Sequence, residues 1–122
     1  MKILVVDDER DIQTLFEQRF RKEIKEKALE FAFAFSGEEA LTYLAQPEHQ
    51  TVLILSDINM PGMSGLELLR HIKQKYLVPP PVVMMITAYG DAENFNKAKE
   101  LGADDFLTKP VDFQYLKEKF KQ

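Results

Sequence analysis

The chain has 122 residues, 45% hydrophobic and 30% charged, with a formal net charge of −4 and no cysteine. Length and composition are those of one ordinary globular domain with a buried core. The acidic balance argues against direct nucleic-acid binding, the lack of cysteine excludes disulfides and thiolate metal sites, and no apolar stretch is long enough for a signal peptide or a membrane span, so a soluble cytoplasmic domain is expected.

Residues 2–6 read as a buried strand, and roughly 10–25 as a helix on which Ile12, Leu15, Phe16, Phe20 and Ile24 recur at helical spacing. Residues 30–35, Glu-Phe-Ala-Phe-Ala-Phe, form a period-2 strand with aromatics on one face and small residues on the other. Ser36 caps a helix near 37–45, with Glu39 as its capping-box partner. A third strand runs over 51–56, and Met60-Pro61-Gly62-Met63-Ser64-Gly65 is a loop punctuated by Pro and Gly. Leu66, Leu69 and Ile72 mark a helix to about 76, and Pro79-Pro80-Pro81 leads rigidly into a strand over 82–87. Phe95, Ala98 and Leu101 mark a weakly apolar helix stopped by Gly102. A short strand over 105–108 precedes a last helix carrying Phe113, Leu116 and Phe120.

Strand and helix thus alternate five times. Continuous apolar strands separated by helices imply a parallel sheet covered on both faces, and right-handed crossovers fix most of the topology. The expected fold class is α/β, a (βα)5 doubly wound, flavodoxin-like three-layer sandwich with sheet order 2-1-3-4-5. One domain over residues 1–122 is expected, without an output domain.

Four short pieces carry the chemistry. Asp7-Asp8 follows Ile3-Leu4-Val5-Val6, Asp57 follows residues 52–56, Thr87 follows residues 82–86, and Lys109-Pro110 follows residues 105–108. Each lies where a buried strand ends, and in an open parallel sheet ligands bind outside the carboxyl ends of the strands, near the point where strand order reverses. Alone, Asp7-Asp8 would be a solvated turn or a helix cap, Thr87 an ordinary strand-end threonine and Lys109 a surface lysine; the joint order outweighs those readings. Two carboxylates about 4 Å apart repel by roughly 4 kcal/mol at an effective dielectric near 20, or about 3 pKa units at ~1.36 kcal/mol each. Three need a cation, a proton or Lys109. A hard dication with oxygen ligands fits best. Few protein ligands and open water positions favour Mg²⁺ over Ca²⁺, with Mn²⁺ as a substitute, and Zn²⁺ is disfavoured without His or Cys nearby. A carboxylate can attack phosphorus to form an aspartyl phosphate. Transfer then depends on positioning and charge neutralisation, for which Lys109 is a compact point charge and Thr87 and a backbone N–H after Asp57 are donors.

The motifs Val5-Val6-Asp7-Asp8-Glu9, Asp57 through Gly65, Ile86-Thr87-Ala88 and Lys109-Pro110 together resemble those of response-regulator receiver domains of two-component signalling, and the chain is similar over its whole length to the stand-alone chemotaxis-type regulators. The resemblance implies that Asp57 accepts phosphate from a sensor histidine kinase, a phosphotransfer protein or a small acyl phosphate. It implies that Asp8, Asp57 and the Asn59 backbone carbonyl ligate Mg²⁺, with Asp7 holding it through water, and that Thr87 and Lys109 contact the phosphoryl group. It implies a cis Lys109–Pro110 bond. It further implies a switch in which Thr87 moves toward the phosphoryl group and Phe106 turns inward behind it, remodelling the face made by the fourth helix, fifth strand and fifth helix for a downstream protein or output domain. Phe106 lacks the hydroxyl of the tyrosine often found there. Asn59 and Tyr89 occupy the positions that tune dephosphorylation, and a bulky Tyr89 would slow self-hydrolysis. The regulator would be a monomer or a phosphorylation-linked dimer, without membrane or nucleic-acid contact of its own.

Two rivals share these residues. A phosphatase with an aspartyl nucleophile would place a second acid two residues on, where Asn59 stands, and would need a cap domain. A phosphorylation-independent binding module would be expected to have lost an acid or the lysine. His49, His71, the aromatics Phe31, Phe33 and Phe35, and the mixed-charge run Arg19–Lys27 read as surface or core. Asp57 is expected at a solvent-facing strand end.

Overall fold

A computed structural model describes residues 1–75, 81–88 and 90–121. Five strands run as β1 (Lys2–Val6), β2 (Glu30–Ala34), β3 (Leu53–Asp57), β4 (Val82–Thr87) and β5 (Asp105–Thr108). The helices are α1 (Asp11–Arg19), α2 (Arg21–Lys25), α3 (Gly37–Leu44), α4 (Gly65–Lys75), α5 (Ala92–Glu100) and α6 (Phe113–Phe120). All pairings are parallel, in the order β2-β1-β3-β4-β5. This is the flavodoxin-like order expected from the alternation, and it reverses direction between β1 and β3.

The pleat divides the core in two. Leu4, Val6, Ala34, Ile54, Val83 and Met85 point to the face covered by α3, α4 and α5. Ile3, Val5, Leu55, Met84 and Ile86 point to the face covered by α1, α2 and α6. Strands buried on both faces must be apolar at consecutive positions, which is how β1, β3 and β4 read. β2 lies at an edge and alternates: Ala32 and Ala34 pack on the first face, and Phe31 and Phe33 on the second. Phe16 centres an aromatic cluster there, 5.6 Å from Phe31 and 5.1 Å from Phe113 by ring centroids, both edge-on, at separations where aromatic pairs add about 0.5–1.5 kcal/mol to their area burial.

The first predicted helix is two. Phe20 leaves helical geometry at φ −111° and ψ 23°. The hydrogen bonds Phe20 N–H to Phe16 C=O and Ile24 N–H to Phe20 C=O carry through the break, so the chain bends there and both Phe16 and Phe20 enter the core. The predicted fourth and fifth helices are therefore α5 and α6. Ser36 caps α3 by accepting from Glu39 N–H at 3.0 Å, and Glu39 reaches back to Phe35 N–H at 3.2 Å, one residue before the expected Ser36 N–H. Gly102 ends α5 at φ +94°, where a side chain would be strained.

Candidate functional site

Strand order brings the four sequence pieces to one edge of the sheet. Asp7 leaves β1, and its backbone N–H bonds Ala34 C=O at 3.1 Å. Asp57 is the last residue of β3, paired in register with Ile86, one residue beyond the predicted strand end. Thr87 closes β4 beside Thr108 of β5. Lys109 N–H donates to Thr87 C=O at 2.9 Å, and the Lys109–Pro110 peptide bond is cis.

At that edge, carboxylate oxygens of Asp7, Asp8 and Asp57 all lie within 4.8 Å of one another. Asp7 and Asp57 are buried, at 4% and 3% exposure, and Asp8 is exposed. The burial of Asp57 corrects the expectation of a solvent-facing carboxylate: its strand is central, and Lys109 lies over it. Lys109 Nζ sits 2.7 Å from Asp57 Oδ2. The other oxygen, Oδ1, accepts from Asn59 N–H at 3.3 Å. Asp7 Oδ1 accepts from Glu9 N–H at 2.9 Å.

The charges are not balanced by protein alone. Burial pushes the Asp7 carboxyl above its ordinary range, the Glu9 N–H works against that, and the neighbouring Asp57 charge adds to the rise. Burial acts to lower the Lys109 ammonium, but the hydrogen bond and charge of Asp57, with Asp7 and Glu9 beyond, carry it upward instead. One ammonium facing three carboxylates leaves a net negative, all-oxygen site. Its oxygen-only donor set and the raised Asp7 fit a hard divalent cation.

Two further side chains, on β4 and β5, bear on this edge. Thr87 Oγ1 donates to Leu107 C=O at 3.4 Å, at the outer limit of a hydrogen bond. A cavity of about 260 Å³ lies next to it, lined by Thr87, Ala88, Asp91, Phe95 and Thr108 among others. Phe106 is half-buried, with its ring centroid 4.4 Å from that of Phe95 on α5. Asn59 is exposed, and Tyr89 lies outside the described residues.

The sequence marks Phe95 by helical periodicity, and Gly65 as a loop breaker and the last residue of the motif that begins at Asp57, without assigning either a contact at the site. A Cβ on Gly65 would lie 2.1 Å from Asp57 C=O and 2.7 Å from Ile58 Cα, so α4 starts hard against the strand end that carries Asp57. A glycine opening an apolar helix was the available signal, since only a residue without a side chain permits such an approach.

The chain is similar to known proteins. The family model of the response regulator receiver domain matches residues 3–121. The response regulator protein PilR of Pseudomonas aeruginosa is 40% identical over 117 residues, 96% of this chain. The chain spans about a quarter of that relative's length, 24%. A CheY-like response regulator receiver domain protein from Methanospirillum hungatei has a TM-score of 0.82 at 32% identity, over 98% of this chain and 90% of that one. The chemotaxis protein CheY4 of Vibrio cholerae has a TM-score of 0.81 at 26% identity, over 98% and 95%.

Proposed function

Because the chain belongs to the response regulator receiver domain family, in which a phosphorylation switch is general, we propose that Asp57 accepts a phosphoryl group from a sensor histidine kinase, a phosphotransfer protein or a small acyl phosphate, and so switches a protein-binding face. The observation that carries this reading is the Lys109 ammonium 2.7 Å from Asp57 Oδ2, beside the oxygens of Asp7 and Asp8. A nucleophile, a fixed cation and a cation-hungry acidic cluster are what phosphoryl transfer to a carboxylate requires.

In the donor reaction an Asp57 oxygen attacks phosphorus. The P–O bond to Asp57 forms as the P–N bond of a phosphohistidine breaks, and the departing imidazole nitrogen takes a proton from solvent. Asp7, Asp8, Asp57 and the Asn59 carbonyl would hold Mg²⁺, or Mn²⁺ in its place. The bound ion would neutralise the carboxylates and polarise a phosphoryl oxygen. Lys109 exchanges its contact with Asp57 for a second phosphoryl oxygen. The freed Asn59 N–H, directed at Asp57 Oδ1 before transfer, is positioned for the third. Asn59, two residues past the acceptor in sequence, and Tyr89, two past Thr87, would set the lifetime of the acyl phosphate.

The weak Thr87 bond explains how this chemistry becomes a switch. A charge-assisted O–H···O⁻ bond of about 2.5–2.7 Å is roughly twice as strong as a neutral one and displaces a 3.4 Å contact. Movement of Thr87 toward the phosphoryl group leaves Phe106 free to part from Phe95 and turn inward. The face remade is α5–β5–α6, where Phe95 and Tyr115 are exposed. A downstream protein or output domain, or a second copy of the chain, would read that face.

The test is intact mass after incubation with acetyl phosphate, with and without Mg²⁺, for the wild type and Asp57→Ala. One Mg²⁺-dependent, alkali-labile phosphate absent from the variant is expected. An adduct retained in Asp57→Ala refutes the acceptor. No adduct in the wild type despite Mg²⁺ binding returns the chain to a phosphorylation-independent binding module.

A further inference from the structure

The molecule carries a second charged feature, on the opposite side from the phosphoryl site. The last turn of α1, the short α2 and one side of α6 from Gln114 to Lys121 border an open groove of about 710 Å³. Arg19, Arg21, Lys22, Lys25, Lys117 and Lys121 line it, against the two acids Glu23 and Glu26. That is a local excess of four positive charges on a chain whose net charge is −4. Only Lys117 among these six cations has an ion-pair partner in the described residues, Glu23 at 3.9 Å. Beneath the cations lies the aromatic cluster: the Arg19 guanidinium is 5.4 Å from the Phe113 ring and Lys117 Nζ 5.8 Å from the Phe20 ring. The charged heads of Arg19 and Lys117 thus lie over aromatic ring faces, while Arg21, Lys22, Lys25 and Lys121 are exposed.

Topology sets this groove apart from Asp57. α2 runs directly into the start of β2, with Ala28 N–H and Leu29 N–H both bonded to Glu23 C=O. α6 begins next to Lys109 and ends at the starts of the strands. The cationic end of the groove, at α2 and Lys121, therefore lies about one strand length, roughly 16 Å at ~3.3 Å per residue, from the carboxyl edge that holds Asp57, and Gln114 marks the end nearer that edge.

We infer that this groove is a docking site for an acidic polypeptide segment of a partner protein, and that it works independently of the phosphorylation state of Asp57. Charge complementarity selects an anion. The cations lining the groove are long side chains, all exposed but Lys117, and the buried polar atom at the groove, Glu23 Oε1, is an anionic acceptor that cannot hold an anion. This suits a polypeptide lying across the cations and not a small anionic ligand enclosed in a mostly apolar pocket. None of the exposed large hydrophobic residues lines it, so it lacks the apolar insertion that a membrane-surface site uses. Its aromatics lie under the cations instead of being open to stacking with bases, which a single-stranded nucleic acid requires.

A labelled 15-residue poly-L-glutamate peptide is the probe, titrated into the full chain at low salt and followed by anisotropy and by amide NMR shifts. Binding with shifts confined to residues 18–26 and 114–121 is expected, with the same affinity before and after acetyl phosphate. Arg21→Glu/Lys22→Glu/Lys25→Glu should weaken it at least tenfold. Arg70→Glu/Lys75→Glu, on α4 and on the other face, should keep it within twofold. Unchanged melting and phosphate uptake in both variants show that the fold is intact. Equal loss in the two variants, or shifts spread over every basic patch, overturns the groove. Tighter binding of an oligothymidylate of equal charge, or of vesicles containing phosphatidylserine, overturns the polypeptide.

Discussion

Asp7→Asn should make the metal-free protein more stable, although it removes a carboxylate of the acidic cluster proposed as the phosphoryl site. Asp7 is buried, and its carboxylate lies within 4.8 Å of those of Asp8 and Asp57. At that separation each like pair costs about 3 kcal/mol at an effective dielectric of 20, and under ~1 kcal/mol in bulk water. Lys109 on Asp57 offsets part of this. Asparagine keeps the oxygen that accepts from Glu9 N–H, so shape and that hydrogen bond survive while the charge goes. The expected net gain at pH 7 in EDTA is about 1–2 kcal/mol, or ~4–8 °C in Tm for a domain of this size. The folded-state pKa of Asp7 is raised, so its ionisation penalises the fold only as pH climbs from the ordinary carboxylate value through the raised one. The variant's advantage should be full above that window and absent below about pH 3.5, where Asp7 is protonated in both folded and unfolded chains. Mg²⁺ should reverse the ranking, since a ligand stabilises in proportion to its affinity for the folded state and Asp7→Asn binds it less well. Urea denaturation at pH 7 and pH 3, in EDTA and in 10 mM Mg²⁺, measures all four corners. A variant less stable than wild type in EDTA at pH 7, or one whose advantage persists at pH 3, would refute the reasoning.

Gly65→Ala should cost about 3 kcal/mol, the upper range for overpacking, because its Cβ would lie 2.1 Å from Asp57 C=O; urea denaturation reads this, and a loss under 1 kcal/mol contradicts the packing. Lys109→Ala should still take up some phosphate by mass but fail to change partner affinity or the environment of Phe106 by NMR. Normal switching in that variant counts against the role given to the ammonium. For Asp105, burial opposes ionisation, but Lys119 at 2.9 Å, Phe106 N–H and the Tyr115 hydroxyl hold its pKa below the ordinary range. Its contribution is therefore present above the ordinary carboxylate pKa and lost as pH falls through the lowered one. Asp105→Asn should flatten the stability profile below about pH 4, and a profile of unchanged slope there excludes the pair as a contributor.

Most of the fold was legible in the sequence because burial periodicity is local. β1, β3 and β4 are covered on both faces and so read as continuous apolar runs, while β2, at the edge, announced its two faces by alternating Phe with Ala. The chemistry was legible for a related reason. Reactive groups at the carboxyl ends of parallel strands must converge whatever fills the helices between them, so the strand-end positions of Asp7, Asp57, Thr87 and Lys109 were enough to assemble a candidate site. The bend at Phe20 was not legible, since an apolar residue at helical spacing has the same pattern whether or not its backbone stays helical.

Tertiary structure alone decided the quantities that depend on distance between remote segments. Lys109 and Asp57 are 52 residues apart in sequence and 2.7 Å apart in space. That contact, the burial of Asp57, the close approach of Gly65, the tilted contact of Phe95 with Phe106 and the basic groove between α1, α2 and α6 all follow from strand order, register and helix packing. Composition and periodicity report which side of an element is buried. They carry no information about which other element buries it, because that is settled only when the competing surfaces of the whole chain are packed at once.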